Sequence, residues 1–373
     1  MHIVVDCKSF MKSLGRVHRV VERRNTIPVL SNVLIDADVG KMQLQATDLD
    51  LEITEFVSAN VEKTGATTVP AYLLYDIVRK LPGSTGVTLT VNPERNFVSI
   101  ISGCSHFRLQ CLPKTDFPKF NAGEFNSSFQ VGKKDLKWLI DCTQFAISTE
   151  ETRYYLNGIY LHVLEDNGGL KLRAVATDGH RLAKVDLDAP CGSKGISGVI
   201  IPRKTVSELQ KVVGEGNDEP VLIELSDTRI RFSISSLILT SKLIDGTFPE
   251  YHKVIPSTNK RKLIVNRAAF AASVNRISTV SGNRGRAVKL SITTDQLILT
   301  ANNPDSGTAE DHLAVEYSGD AMEIGFNFRY LLDIASHLSG EDMMFMLADS
   351  CSPALIRDVK MKNALYVLMP MRI

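Results

Sequence analysis

At 373 residues, with 44% hydrophobic and 23% charged side chains, the chain suits two or three ordinary folded domains and is too apolar to be disordered. A net charge of +1 excludes a global pull towards nucleic acid or membrane, so any charge-based function has to rest on segregated patches. The six cysteines form no C-x-x-C pair and no short His/Cys cluster, no run of 18 apolar residues occurs, and the start carries no signal-peptide pattern; we expect reduced thiols, no metal, no cofactor and a cytoplasmic location.

Taken in order, the chain repeats one series of elements three times. Each copy opens with a short strand leading into a helix, at residues 3–10, 129–136 and 263–270. A strand and turn follow in Leu44-Gln-Ala-Thr-Asp-Leu-Asp50, in residues 172–183, and more weakly in Leu297-Ile-Leu-Thr-Ala-Asn-Asn-Pro304. In the middle copy Asp178-Gly179 lies between apolar runs and predicts a hairpin turn there, because Gly accepts positive φ. Thr47 and Thr177 are 130 residues apart, a domain length and not a solenoid period. Second helices are predicted within 68–81, 200–211 and 324–338, the first two entered through Pro and the third N-capped by Asn327. Closing strands fall in 107–118, 239–249 and 365–373, and the Phe-Pro pairs at 117 and 248 set the register of the first two copies. Polar, breaker-rich stretches at 121–128 and 256–261 serve as linkers. The expected fold is α+β: three similar domains, 1–124, 128–254 and 258–373, each with two helices and antiparallel strands.

The first helix carries Lys8, Lys12, Arg16, Arg19 and Arg23 at spacings of 4, 4, 3 and 4, opposite an apolar face of Phe10, Leu14, Val17 and Val21. Five cations on one stripe without i,i+4 acidic partners repel each other unless something anionic offsets them. Weaker versions recur at Lys133, Lys134 and Lys137 and at Arg267, Arg276, Arg284 and Arg286, while acidic residues gather in 47–55 and 305–316.

No phosphate loop, dinucleotide fingerprint, zinc-protease motif or nucleophile elbow is present. Asp178 and His180 admit an acid–base reading, but no nucleophile or second carboxylate is close in sequence, and turn hydrogen bonds account for both. Asp48, Asp50 and Glu52 alternate in a way that suits a magnesium ion or, more simply, a solvated strand face. Tyr154 and Tyr155 suit either a core edge or contact with phosphate or base. A hydrolase built on Asp178 and His180, and a monomeric peptide-binding scaffold, are the rival classes.

Taken together, Asn25-Thr-Ile-Pro-Val-Leu30, Ala46-Thr-Asp-Leu49, Arg153-Tyr-Tyr-Leu-Asn-Gly158, Ala174-Val-Ala-Thr-Asp-Gly-His-Arg-Leu-Ala183, Ile201-Pro-Arg-Lys204, Ser241-Lys-Leu-Ile-Asp-Gly-Thr-Phe-Pro249, Met322-Glu-Ile-Gly-Phe-Asn327 and Met369-Pro-Met-Arg-Ile373 resemble the β subunit of bacterial DNA polymerase III, the DNA sliding clamp. The resemblance covers the whole chain. It implies the DNA clamp fold, a head-to-tail homodimeric ring around duplex DNA, and a non-catalytic processivity role. A ring holds DNA by topology, so scattered cations suffice and base readout is unnecessary. By the same resemblance Arg24, Tyr154, Tyr155, Arg203 and Lys204 approach DNA. Phe107 and Leu109 on an edge strand meet the helix around Ile277 and Val280 of a second chain. A groove between the second and third domains takes linear peptides from the replicative polymerase α subunit, the clamp loader, and repair and translesion polymerases. Its wall falls here on Leu156, Thr177, Gly179, His180, Arg181 and Leu182, on Pro249 and Val254, on Asn327 and Tyr330, and on the terminal run Val367, Leu368, Met369, Pro370, Met371 and Arg372. Lys253, Cys351, Pro353 and the segment 278–286 depart from well-known members, which affects partner preference.

Overall fold

Three strand-to-helix units recur along the chain. The computed structural model describes residues 1–23, 25–92, 96–120, 123–166, 168–215, 217–281 and 286–372. The helices are α1 (Cys7–Val17), α2 (Ala71–Val78), α3 (Lys133–Gln144), α4 (Arg203–Val213), α5 (Arg267–Ser278) and α6 (Phe328–His337). Local chemistry sets their starts. Asp6 caps α1 by accepting the Ser9 N–H at 2.8 Å, Asn266 caps α5 through Ala269, and Asn327 caps α6 through the Arg329 N–H at 3.0 Å. Pro70 precedes α2 and Pro202 precedes α4, where a missing N–H costs nothing.

The chain divides into two compact units. The first comprises Met1–Leu136, Pro190–Gly192 and Ser207–Leu243. Its larger sheet has eight antiparallel strands, in the order Ser127–Val131, Val221–Leu225, Arg229–Ile234, Leu237–Lys242, Leu51–Ser58, Lys41–Thr47, Asn32–Asp38 and Gly65–Pro70. A five-stranded sheet ends at the edge strand Ser105–Gln110. Helix α1 buries Phe10, Leu14 and Val17 and packs against α2 and Leu51–Ser58. It stops at Val17, and the chain continues in three-residue turns, so Arg19 and Arg23 lie beyond the helix on which a continuous stripe was expected.

The second unit comprises Lys137–Ala189, Ser193–Val206 and Ile244–Ile373. Its nine-stranded sheet runs Val199–Pro202, Gly158–Asp166, Gly169–Thr177, Arg181–Asp188, Ala364–Leu368, Ala354–Asp358, Asp342–Leu347, Arg261–Asn266 and Glu316–Ser318. A four-stranded sheet ends at Gly307–Ala314, and α5 packs on α6.

In both units a sheet crosses from one sequence copy into the next. Leu239 of the second copy pairs with Ile53 of the first, and Val367 of the third pairs with Leu182 of the second. The same join is made twice. The middle copy therefore contributes to both units.

Candidate functional site

The hairpin between Gly169–Thr177 and Arg181–Asp188 is fixed by its own side chains. Asp178 Oδ1 accepts the N–H groups of His180 (2.9 Å) and Arg181 (3.0 Å). Thr177 Oγ1 donates to the Arg181 carbonyl at 2.7 Å and accepts the Gly179 N–H at 3.1 Å. The Asp178 N–H reaches the Arg181 carbonyl, so the two central residues are Gly179 and His180. The turn is thus one residue later than the Asp178-Gly179 signal suggested, because the Asp side chain replaces a backbone acceptor. Gly179 has φ +88°, and a Cβ there would sit 2.6 Å from Arg153 Nη1. Asp178 is committed to the turn and to an ion pair with Arg181 at 3.1 Å, which leaves the acid–base reading without its acid.

Arg181 ties this turn to its surroundings. Its guanidinium pairs with Asp333 of α6 at 2.5 Å and donates to the Phe145 carbonyl. It also lies over the rings of Tyr330 (4.3 Å) and Phe145 (5.1 Å). His180 is stacked on Tyr330 with ring centroids 6.5 Å apart.

Above this frame is a groove of about 340 Å³. Leu156, Leu182, Tyr251 and Val367 form its floor and belong to a buried cluster with Val175, Ile200 and Phe248. Of the sequence candidates, Leu156, Thr177, Gly179, His180, Arg181, Leu182, Pro249, Val254, Val367 and Met369 line it. Val254 and Met369 are exposed, giving apolar surface without a partner within the chain. Arg153, Tyr155, Glu250 and Tyr251 line it as well, although the sequence reading did not assign them to it. Tyr251 was legible as an aromatic three residues after Phe248; the side from which Arg153 arrives was not.

The remaining candidates divide. Pro370, Met371 and Arg372 line a separate, more polar depression with Lys289, Glu323, Ser350 and Cys351. Leu368 is fully buried, so it supplies core and no groove wall. Asn327 is also buried and serves as the α6 cap. Tyr330 adjoins the groove through His180 and Arg181.

Tyr154 is 54% exposed on the short 3-10 turn Glu151–Leu156, whereas Tyr155 turns into the groove. Arg203 is exposed at the start of α4 and Lys204 is half-buried. Arg24 and Arg284 lie outside the described residues, as do residues 282–285 of the departing segment 278–286. The basic stripe acquires tertiary partners that no local pattern reveals. Arg16 pairs with Glu55 at 2.6 Å and Glu215 at 2.9 Å, and Lys134 with Asp218 at 2.6 Å, whereas Lys137 pairs locally with Asp141 one turn on in α3. Lys133 is buried and donates to the Glu215 and Asn217 carbonyls. Lys8 and Lys12 stay exposed. On the edge strand Ser105–Gln110, Phe107 is half-buried and Leu109 is buried; Val280 is half-buried, but Ile277 is 2% exposed. Ile277 is therefore a core residue of its own sheet and helix layer, with no free surface for a second chain. Asp48 accepts the N–H groups of Asp50 and Leu51, Asp50 pairs with Lys242, and Glu52 accepts from Gln45. These carboxylates have separate tasks, and among the described residues no three His, Cys, Asp or Glu side chains are grouped to hold a metal.

Three family models for the DNA polymerase III beta subunit match the chain end to end: the N-terminal domain over residues 1–121, the central domain over 130–250 and the C-terminal domain over 252–372. The chain is 44% identical over 373 residues to the beta sliding clamp of Caulobacter vibrioides and 38% identical over 375 residues to that of Escherichia coli K12, covering all of each chain. Among solved structures, a DNA polymerase III subunit beta sliding clamp from Bartonella birtlesii bound to griselimycin superimposes with a TM-score of 0.97 at 62% identity. The Caulobacter crescentus clamp does so with 0.95 at 43%; both alignments cover the whole of each chain. An α+β chain of threefold repeats with sheets continuous across its copies has the architecture of a DNA clamp. The chain belongs to the DNA polymerase III beta subunit family, the sliding clamps, which are non-catalytic processivity factors of DNA replication.

Proposed function

We propose that this chain closes, with a second copy, into a head-to-tail ring around duplex DNA, and that its groove tethers the replicative polymerase and other DNA-processing proteins by short linear segments. The observation that carries the tethering half is the groove itself. A rigid, charge-braced turn faces exposed Val254 and Met369 over an apolar floor. Such a surface suits an extended segment with a few apolar anchors, and the flexible Met side chain adapts to several partners. Griselimycin, bound by the Bartonella relative, is a ligand for the same groove in this reading.

The ring half rests on family membership and on two edge strands, Ser105–Gln110 and Gly307–Ala314. An edge carrying Phe107 is a liability unless another strand covers it. Domains of 1–124, 128–254 and 258–373, a clamp loader that opens the ring, DNA contacts through Tyr154, Arg203 and Lys204, and a cytoplasmic location complete the reading. No helix among the described residues is long and apolar enough to cross a membrane.

The test is retention on nicked circular against linear duplex after loading with a matching clamp loader. Retention on circles with loss from linear ends is expected. Equal retention on both means direct phosphate binding and overturns the ring.

A further inference from the structure

Behind the groove lies a half-buried polar row, centred on the buried Arg173, that the tethering role does not itself require. His162, Arg173 and Asp186 are direct cross-strand partners on three adjacent strands, His162 opposite Arg173 and Arg173 opposite Asp186. Arg173 is almost fully buried. Its guanidinium grips Asp186 with Nε at 2.5 Å and Nη2 at 2.9 Å, and Asp166 with Nη2 at 2.6 Å. Lys184 adds a second cation to Asp186 at 3.0 Å. Two cations and two carboxylates thus balance within the row. Burying Arg173 costs solvation that pairing has to recover, so its place in the sheet calls for a reason.

The free end of the row points to one. Arg173 Nη1 donates to the Tyr251 hydroxyl at 3.3 Å, and His162 Nε2 is 2.9 Å from the same oxygen. With the guanidinium donating, the hydroxyl gives its own proton to Nε2, which makes His162 a neutral acceptor protonated at Nδ1. Tyr160 stacks on His162 and on Phe248, closing the cluster from the side. Tyr251 is the residue on which the far wall of the groove turns. Its N–H bonds the Pro249 carbonyl at 2.7 Å, and it opens the short 3-10 turn Tyr251–Val254.

We propose that His162 and Arg173 are positioning residues for the groove: by holding the Tyr251 hydroxyl from two sides they fix the turn carrying Pro249 and Val254, and so set the groove's width for an apolar peptide-like ligand. This rests on the groove reading given above. The row explains why the wall can be both exposed and rigid. Its anchor lies inside, on three strands of a sheet, while Pro249 and Val254 on the turn meet solvent.

The experiment titrates griselimycin by calorimetry into the full-length protein and three variants. Tyr251→Phe keeps the ring and removes only the hydroxyl; His162→Leu removes the acceptor; His162→Gln restores an acceptor. Binding roughly five- to ten-fold weaker is expected for Tyr251→Phe and His162→Leu, with wild-type affinity largely recovered in His162→Gln. The double variant Tyr251→Phe/His162→Leu should be no weaker than Tyr251→Phe, because removing the hydroxyl already removes its bond to His162. Wild-type affinity in Tyr251→Phe overturns the proposal, as does a His162→Gln variant as weak as His162→Leu. Absence of binding by the unaltered protein overturns the groove reading itself, and the positioning role with it.

Discussion

Leu49 and Gly179 occupy the same place in two copies of one turn. In both, a Thr hydroxyl (Thr47, Thr177) donates to the carbonyl four residues on and accepts the N–H two residues on. In both, an Asp (Asp48, Asp178) accepts the N–H groups two and three residues on. Leu49 has φ +79° and Gly179 φ +88°. The internal repeat is thus preserved hydrogen bond by hydrogen bond, with glycine in one copy and a strained leucine in the other.

A left-handed leucine costs roughly 1–2 kcal/mol, and glycine's extra unfolded-state freedom recovers part of that difference. Leu49→Gly is therefore expected to stabilise the chain by about 0.5 kcal/mol, read as a rise in the urea midpoint at constant slope. A lower midpoint would contradict the strain. Gly179→Leu should cost far more than the reverse change gains, since its Cβ meets Arg153.

Arg16 is a structural cation, unlike its exposed neighbours on α1. Glu55 is buried, and Arg16 and Ser13 are the partners of its Oε1. Arg16→Ala is expected to destabilise by about 3 kcal/mol by stranding that carboxylate, whereas Lys12→Ala, exposed on the same helix, should stay within about 0.5 kcal/mol. Chemical denaturation of both variants decides it. Equal effects would mean the ion pair is not structural.

Arg181→Lys keeps the charge and loses the planar fork and both ring contacts. A loss of about 1–2 kcal/mol in stability is expected, together with weaker griselimycin binding, because the turn is no longer clamped to α6. Unchanged binding would show that the turn holds without its brace.

Burial, and secondarily the Arg173 charge, hold His162 down to about 4 from an ordinary value near 6.5. The unfolded chain therefore binds a proton that the folded chain refuses between those values. Stability is full above about 6.5 and declines as pH falls towards 4. Asp186 acts in a lower window. Paired with Arg173 and Lys184, it is held below its usual range, and its contribution is lost as pH falls through and below that range. Thermal melts from pH 7 to 4 should show the decline, and His162→Gln should flatten it; parallel curves would remove His162 as the cause.

The threefold repeat and the helix starts at Pro70, Pro202 and Asn327 were legible because each is written in contiguous residues, whereas the groove wall was assigned only by the family resemblance. What escaped is non-local. The stripe on α1 looked unpaired because Glu55 and Glu215 are 39 and 199 residues from Arg16. Ile277 looked available for a second chain until the fold buried it. Asp178-Gly179 marked the right turn one residue early, since sequence does not say that an Asp side chain stands in for the backbone acceptor. Arg173 was only a charged residue in an apolar run; its meaning depends on which strands become neighbours.

The twice-made join between copies has a consequence for anyone wishing to take the molecule apart. A fragment cut where the sequence stops repeating, near residue 124, would leave Leu51–Ser58 with a bare ladder of backbone groups that Leu237–Lys242 normally covers. Such a piece is a sticky product and not a smaller working part. The natural seams of the text are the worst places to use scissors.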